Sequence, residues 1–157
     1  MAKKWTASQT QLKPDAKFNN KLAQKFINTM MWQGKKSIAQ QIFYDALSIV
    51  AKKVKDVEPI EVFQAAVNNV KPQLEVRSKR VGGASYQVPM PVGSRRQQSL
   101  AFRWIIASAR SKKGKAMPDR LATEFIDAYN KQGGAMTTRE NIHKMAQANK
   151  AFAHFAW

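Results

Sequence analysis

The chain has 157 residues, 44% of them hydrophobic, and 27 Lys and Arg stand against 10 Asp and Glu, a formal net charge of +17. With only seven glycines and six prolines, this composition excludes charge-driven disorder of the whole chain, and the length suits one domain with one core. Without cysteine there is no disulfide or thiolate metal site, and no apolar run approaches the roughly 20 residues of a bilayer span, so a soluble, cytoplasmic protein without membrane attachment is expected.

Residues 1–19 carry Lys3, Lys4, Lys13 and Lys17 against Asp15 alone, with few apolar residues besides Trp5, Leu12 and Phe18. They read as a basic N-terminal arm ordered by a partner. Residues 20–157 read as one helical domain. Leu22, Phe26, Ile27, Met30 and Met31 define a first helix that Gly34 breaks. Ser37 is placed to cap a second helix with its apolar stripe at Ala39, Ile42, Phe43, Ala46, Leu47, Val50 and Val54. Asp56 opens a third, with Pro59 in the first turn, Val62, Phe63, Ala66, Val67 and Val70 inward, and Pro72 closing it.

Over 74–90 the period changes to alternation around Gly82-Gly83, a pair that accepts positive φ and suits a two-residue β-hairpin turn. Two strands alone are marginal, so the hairpin is expected to project from the helical body, with Pro89 and Pro91 ending the pairing. Ser94 or Ser99 starts a fourth helix that sends Leu100, Trp104, Ile105 and Ala107 to the core. Pro118 begins a fifth, with Leu121, Ala122, Phe125, Ala128 and Tyr129 apolar, ended by Gly133-Gly134. Thr137 to Glu140 reads as a capping box for a sixth, striped by Ile142, Met145, Ala146, Asn149 and Phe152. The expected architecture is mainly α: a single domain of about six helices with a protruding β-hairpin between the third and fourth.

The chemistry lies in charge. Between Glu75 and Asp119 there is no acidic residue, while ten Lys and Arg fall in that interval, among them Lys112 and Lys113. Such a surface attracts polyanions, and a nucleic acid is the obvious one. Arg96, Arg103 and Arg110 recur every seven residues, so on a helix they drift only about 20° per step and form one basic rail, with Arg95 beside it and no acid to pair with. Rigidly mounted guanidinium groups suit bidentate phosphate binding. Arg77, Lys79 and Arg80 precede the hairpin turn and Tyr86 follows it, offering cations and a ring for stacking on a base; the alternative is an edge strand protected by its charges. Lys35 and Lys36 sit where free backbone N–H groups at a helix start favour phosphate, and a plain charged loop reads equally well. His143 and His154 have no carboxylate or nucleophile at a useful spacing, and Gly82-Gly83 lacks the other glycines of a phosphate loop, so no catalytic residue, metal or cofactor is expected.

Several blocks together resemble one family: Pro14-Asp15 with Phe18, Lys25 to Asn28, Gly34 to Ser37, Arg80 to Gly83 with Tyr86 to Pro89, Leu100 to Trp104, and Met145 to His154. In order and content they resemble the bacterial-type small-subunit ribosomal protein seven family, across nearly the whole chain. The resemblance implies a non-enzymatic protein that binds ribosomal RNA of the small-subunit head (the 3′ major domain), helps to nucleate head assembly, and lies near exit-site tRNA and the mRNA path with ribosomal proteins nine and eleven as neighbours. The ribosomal RNA contacts so expected are Lys3, Lys4, Lys35, Lys36, Arg77, Lys79, Arg95, Arg96, Arg103, Arg110, Lys112 and Lys113. Those expected near exit-site tRNA and mRNA are Arg80, Val81, Gly82, Gly83, Ala84 and Tyr86 in the hairpin, with Lys144, Lys150 and His154 in the last helix. A helical DNA-binding or other nucleic-acid architectural protein is the competing reading; against it, no compact helix-turn-helix with a short Gly turn is visible and the rail largely lacks base-reading polar side chains.

Overall fold

Asn20 starts the first helix, its side chain accepting from the backbone N–H groups of Leu22 and Ala23. A computed structural model describes residues 12–156; Lys3, Lys4, Trp5 and Trp157 lie outside them. The order is α1 (Lys21–Met30), α2 (Lys36–Lys53), α3 (Pro59–Val70), β1 (Leu74–Val81), β2 (Ala84–Pro91), α4 (Ser94–Ser111), α5 (Met117–Tyr129), α6 (Gly134–Ala148) and a 3₁₀ segment (Lys150–Phe155). The mainly helical fold with a hairpin between α3 and α4 is as expected.

Each of α1 to α5 contributes one phenylalanine to a common cluster. Phe26 stands at its centre, with Phe43, Phe63, Phe102 and Phe125 around it at ring-centroid distances of 5.3 to 5.7 Å. The tilted and edge-on geometries suit aromatic quadrupoles, each pair adding about 0.5–1.5 kcal/mol beyond simple burial. Around the rings α5 packs on α2, α3 and α4, while α6 lies against α4 and β1.

Details depart from the sequence expectations for identifiable reasons. Ser37 does not cap α2; the helix begins at Lys36 after a turn with Gln33 and Gly34 both at positive φ. In α4 the buried side is Leu100, Ala101, Phe102, Ile105, Ile106 and Ala109. Ala107, four residues after the exposed Arg103, shares its face and is exposed, whereas Trp104 is half-buried at the core's edge. Thr137 and Thr138 are not caps but lie inside α6, their hydroxyls donating to the carbonyls of Gly133 and Gly134. The helix begins four residues earlier, its N-cap at Gly133 and not Thr137, because Gly133 (φ 90°) and Gly134 let the chain pass close to its neighbours: a Cβ on Gly134 would stand 2.4 Å from Ser108 Oγ, and one on Gly133 2.8 Å from Asp127 Cβ. At its far end α6 gives way after Ala148 to the 3₁₀ turn that carries Phe152.

Strands β1 and β2 pair from Val81↔Ala84 to Leu74↔Pro91, with Gly82 at φ 55° and Gly83 at φ 90° in the turn. Both prolines lie inside the pairing instead of ending it. Counting from the two-residue turn, hydrogen-bonded and open pairs alternate, so Val76↔Pro89 and Leu74↔Pro91 fall at open pairs where no strand N–H is needed.

Candidate nucleic-acid interface

The exposed side of α4 reads Arg96, Ser99, Arg103, Ala107 and Arg110, the stripe opposite the buried one. Its two ends are tied to neighbouring elements. Arg96 Nε lies 2.6 Å from Glu75 Oε2, while Arg77 Nη2 lies 2.5 Å from Glu75 Oε1. The expectation of a rail without acidic partners is corrected here: the hairpin brings Glu75, itself buried, back onto the start of α4. At the other end Arg110 donates to the Met30 carbonyl at 2.8 Å and its guanidinium lies 4.6 Å from the Trp32 ring. Arg103, in the middle, reaches only Ser99 Oγ on its own helix, at 3.5 Å. Among the described residues Arg95 and Lys113 have no hydrogen-bond or ion-pair partner, and both are exposed.

Lys112 and Lys113 are neighbours just past the end of α4, but their environments differ. Lys112 Nζ stands 2.9 Å from Glu124 Oε2 and 3.2 Å from Asp127 Oδ2. Burial pulls its pKa down more than any other single influence, but the two carboxylates together outweigh it and leave the pKa raised. Glu124 is fully buried and also accepts from the Ala135 N–H at 2.9 Å, so it ties the end of α4 to the start of α6. Arg120 completes this corner by donating to the Lys112 carbonyl at 2.6 Å.

In the hairpin the pairing sorts side chains by face. Glu75, Arg77, Lys79 and Val81 share one face with Met90, Val88, Tyr86 and Ala84, and that face meets the body, since Val88 is fully buried. Lys79 Nζ donates to the Phe155 carbonyl at 2.8 Å. Tyr86 is packed against Phe152 and Phe155, at centroid distances of 5.2 and 5.0 Å. Packed in this way, Tyr86 holds the hairpin to the 3₁₀ segment. The other face, with Ser78, Arg80, Ser85 and Gln87, points outward and is exposed, as are Gly82, Gly83 and Ala84 at the tip, beside a half-buried Val81. Lys144, Lys150 and His154 are exposed; His154 Nδ1 lies 2.8 Å from the Ala151 carbonyl.

Lys35 and Lys36 are exposed at the start of α2, which has no side-chain cap. A groove of about 410 Å³ runs from this turn to the end of α4 and is lined by both Lys35 and Arg110. The structure thus joins two predicted cation sites that lie far apart in sequence. It also reveals Trp32, 68% exposed beside them, just past the end of the first helix. Among the described residues no group of His, Asp and Glu is arranged for a metal ion, and no helix is long and apolar enough to cross a membrane.

Comparison with known proteins places this geometry in a lineage. The family model described as Ribosomal protein S7p/S5e matches residues 2–150. The chain is 58% identical over 153 residues to the small ribosomal subunit protein uS7 of Rhodopirellula baltica, covering 97% of this chain and 98% of that one. It is 50% and 52% identical to the proteins of the same name from Desulfotalea psychrophila and Natranaerobius thermophilus, in each case over 157 residues and the whole of both chains.

Proposed function

The chain belongs to the ribosomal protein S7p/S5e family, as a structural protein of the small ribosomal subunit and not an enzyme, and from that premise we propose that it binds ribosomal RNA of the head domain and helps to nucleate its assembly. The observation that carries this reading is the uncompensated part of the acid-free segment. Arg95, Arg103 and Lys113 on and after α4 are exposed without carboxylate partners among the described residues, and Lys35 and Lys36 extend the basic surface at the start of α2. Phosphates would supply the missing countercharge. Arg77, Lys79, Arg96 and Lys112 hold the fold's own groups, so their share in RNA contact is secondary in this proposal.

The outward hairpin face with Arg80 and the exposed tip, together with Lys144, Lys150 and His154, supports a second surface facing exit-site tRNA and mRNA, with ribosomal proteins nine and eleven nearby. Affinity supplied by many phosphate contacts falls steeply with salt. For six to ten contacts, binding to a head-domain RNA fragment should weaken by roughly 10³ to 10⁵ between 50 and 200 mM salt. A nearly flat salt dependence would count against the proposal.

A further inference from the structure

Among the described residues the large apolar side chains left exposed are Trp32, Ile38, Leu74 and Met145, and two of these four, Trp32 and Ile38, line the same groove. An indole that is 68% exposed gains little from burial, so packing does not account for its position. It is nevertheless held. Arg110 covers one part of the ring at 4.6 Å from the centroid, and Arg110 is itself fixed by the Met30 carbonyl at 2.8 Å. With a guanidinium over one face, that exposure leaves the other face open to solvent. Met30, Met31 and Ile42 give the groove an apolar floor, Lys35 and Arg110 give it charge, and none of the described residues lining it is acidic.

We infer that this groove takes an unpaired RNA base stacked on Trp32, with phosphates beside that base held by Lys35 and Arg110. The inference rests on the ribosomal RNA reading and adds to it a base-stacking contact that the basic surface alone does not contain. A flat aromatic surface pre-organised by an arginine is the platform on which unpaired bases stack. A nucleotide brings an apolar face and a negative charge within one residue's length, matching both parts of the groove. An apolar protein anchor would fill the floor but leave Lys35 and Arg110 without countercharge.

The test compares the full chain with Trp32→Leu, Trp32→Phe and Lys35→Gln in binding to a head-domain RNA fragment across a salt series. Trp32→Leu should weaken binding roughly tenfold to a hundredfold, the loss expected for one stacked base, with the salt slope unchanged. Trp32→Phe should recover most of that, and Lys35→Gln should instead lower the slope by about one. The emission that the parent has and Trp32→Leu lacks should be quenched by single-stranded oligoadenylate but not by a blunt RNA duplex with as many phosphates. Parent-like RNA affinity in a folded Trp32→Leu protein overturns the base platform, and if that variant then fails to enter reconstituted subunits the groove belongs to a protein neighbour. In either case binding lost on charge reversal at Arg95 and Arg103 leaves the wider RNA reading intact, whereas failure of the parent to bind the fragment strikes that reading itself.

Discussion

The α4 rail and the β-hairpin carry similar cations, but they are mounted on different foundations. Helix α4 buries six side chains, one of them Phe102, whose ring lies 5.3 Å from Phe26 at the centre of the five-ring cluster. The hairpin buries only Val88 completely and leans through Tyr86 on Phe152 and Phe155, neither of which is fully buried. Cations on the rail are therefore positioned by the global fold, and those on the hairpin by a local clasp that can open while the helices stay folded. A surface placed by the global core suits a permanent RNA anchor; one placed by a clasp suits contact with partners that come and go.

The sharpest way to break this contrast is to cut each foundation in turn. Phe26→Ala should lower the unfolding free energy by about 3–5 kcal/mol, because it opens a cavity where five helices meet, and rail and hairpin should be lost together in urea denaturation. Phe155→Ala should instead leave the global midpoint nearly unchanged while speeding amide exchange across residues 76–89, since the ring it removes touches Tyr86 at the protein's edge. If Phe155→Ala unfolded the whole chain in one step, the two foundations would be one.

The rail itself divides into a free middle and tied ends, which charge reversal can separate. Arg95→Glu with Arg103→Glu should weaken RNA binding at every salt concentration and reduce the salt slope by about two, with stability changed by less than about 0.5 kcal/mol. Arg96→Glu should cost stability, about 1 kcal/mol after allowance for a side chain that is 46% exposed, because it sets a second carboxylate against the buried Glu75. Equal stability losses in the two variants would remove the distinction between middle and end.

That distinction marks where sequence reading stopped. The seven-residue spacing of Arg96, Arg103 and Arg110 sufficed to place them on one helix face, since helical period is local and four of the five core phenylalanines followed from it. Phe102 was missed because Trp104 drew the inward assignment, yet Phe102 fits the stripe that continues to Ile105, Ile106 and Ala109. The pairing of Glu75 with Arg96 depends on how the hairpin folds back, and no pattern within α4 carries that information. The inward turn of Tyr86 is likewise decided by the 3₁₀ segment, 64 to 69 residues further on in the chain, whose own aromatic spacing reads as a continued helix. Alternation did divide the hairpin into two faces; it did not say which face would be covered.

The smallest expected effect concerns the base of the hairpin, where proton binding tests how locally it is held. The Gln73 N–H donates to His143 Nε2 at 3.2 Å, so His143 must be neutral with its proton on Nδ1 for this bond to exist. Burial first, and then the charge of Arg139, lower its pKa below the usual 6.5. Arg139 in turn is fixed by a hydrogen bond to the Asn69 carbonyl at the end of α3. A base whose folded-state pKa is depressed is protonated more readily in the unfolded chain. Its contribution is therefore complete above about pH 6.5 and is lost as pH falls through the folded value. Amide exchange at Gln73 and along β1 should accelerate as pH drops below 6.5, after correction for the intrinsic pH dependence of exchange, while the core of α5 is unaffected. His143→Gln, which keeps an acceptor but cannot titrate, should flatten that profile. Identical profiles in the parent and the variant would show that His143 does not hold the hairpin's base and that the clasp at Tyr86 works alone.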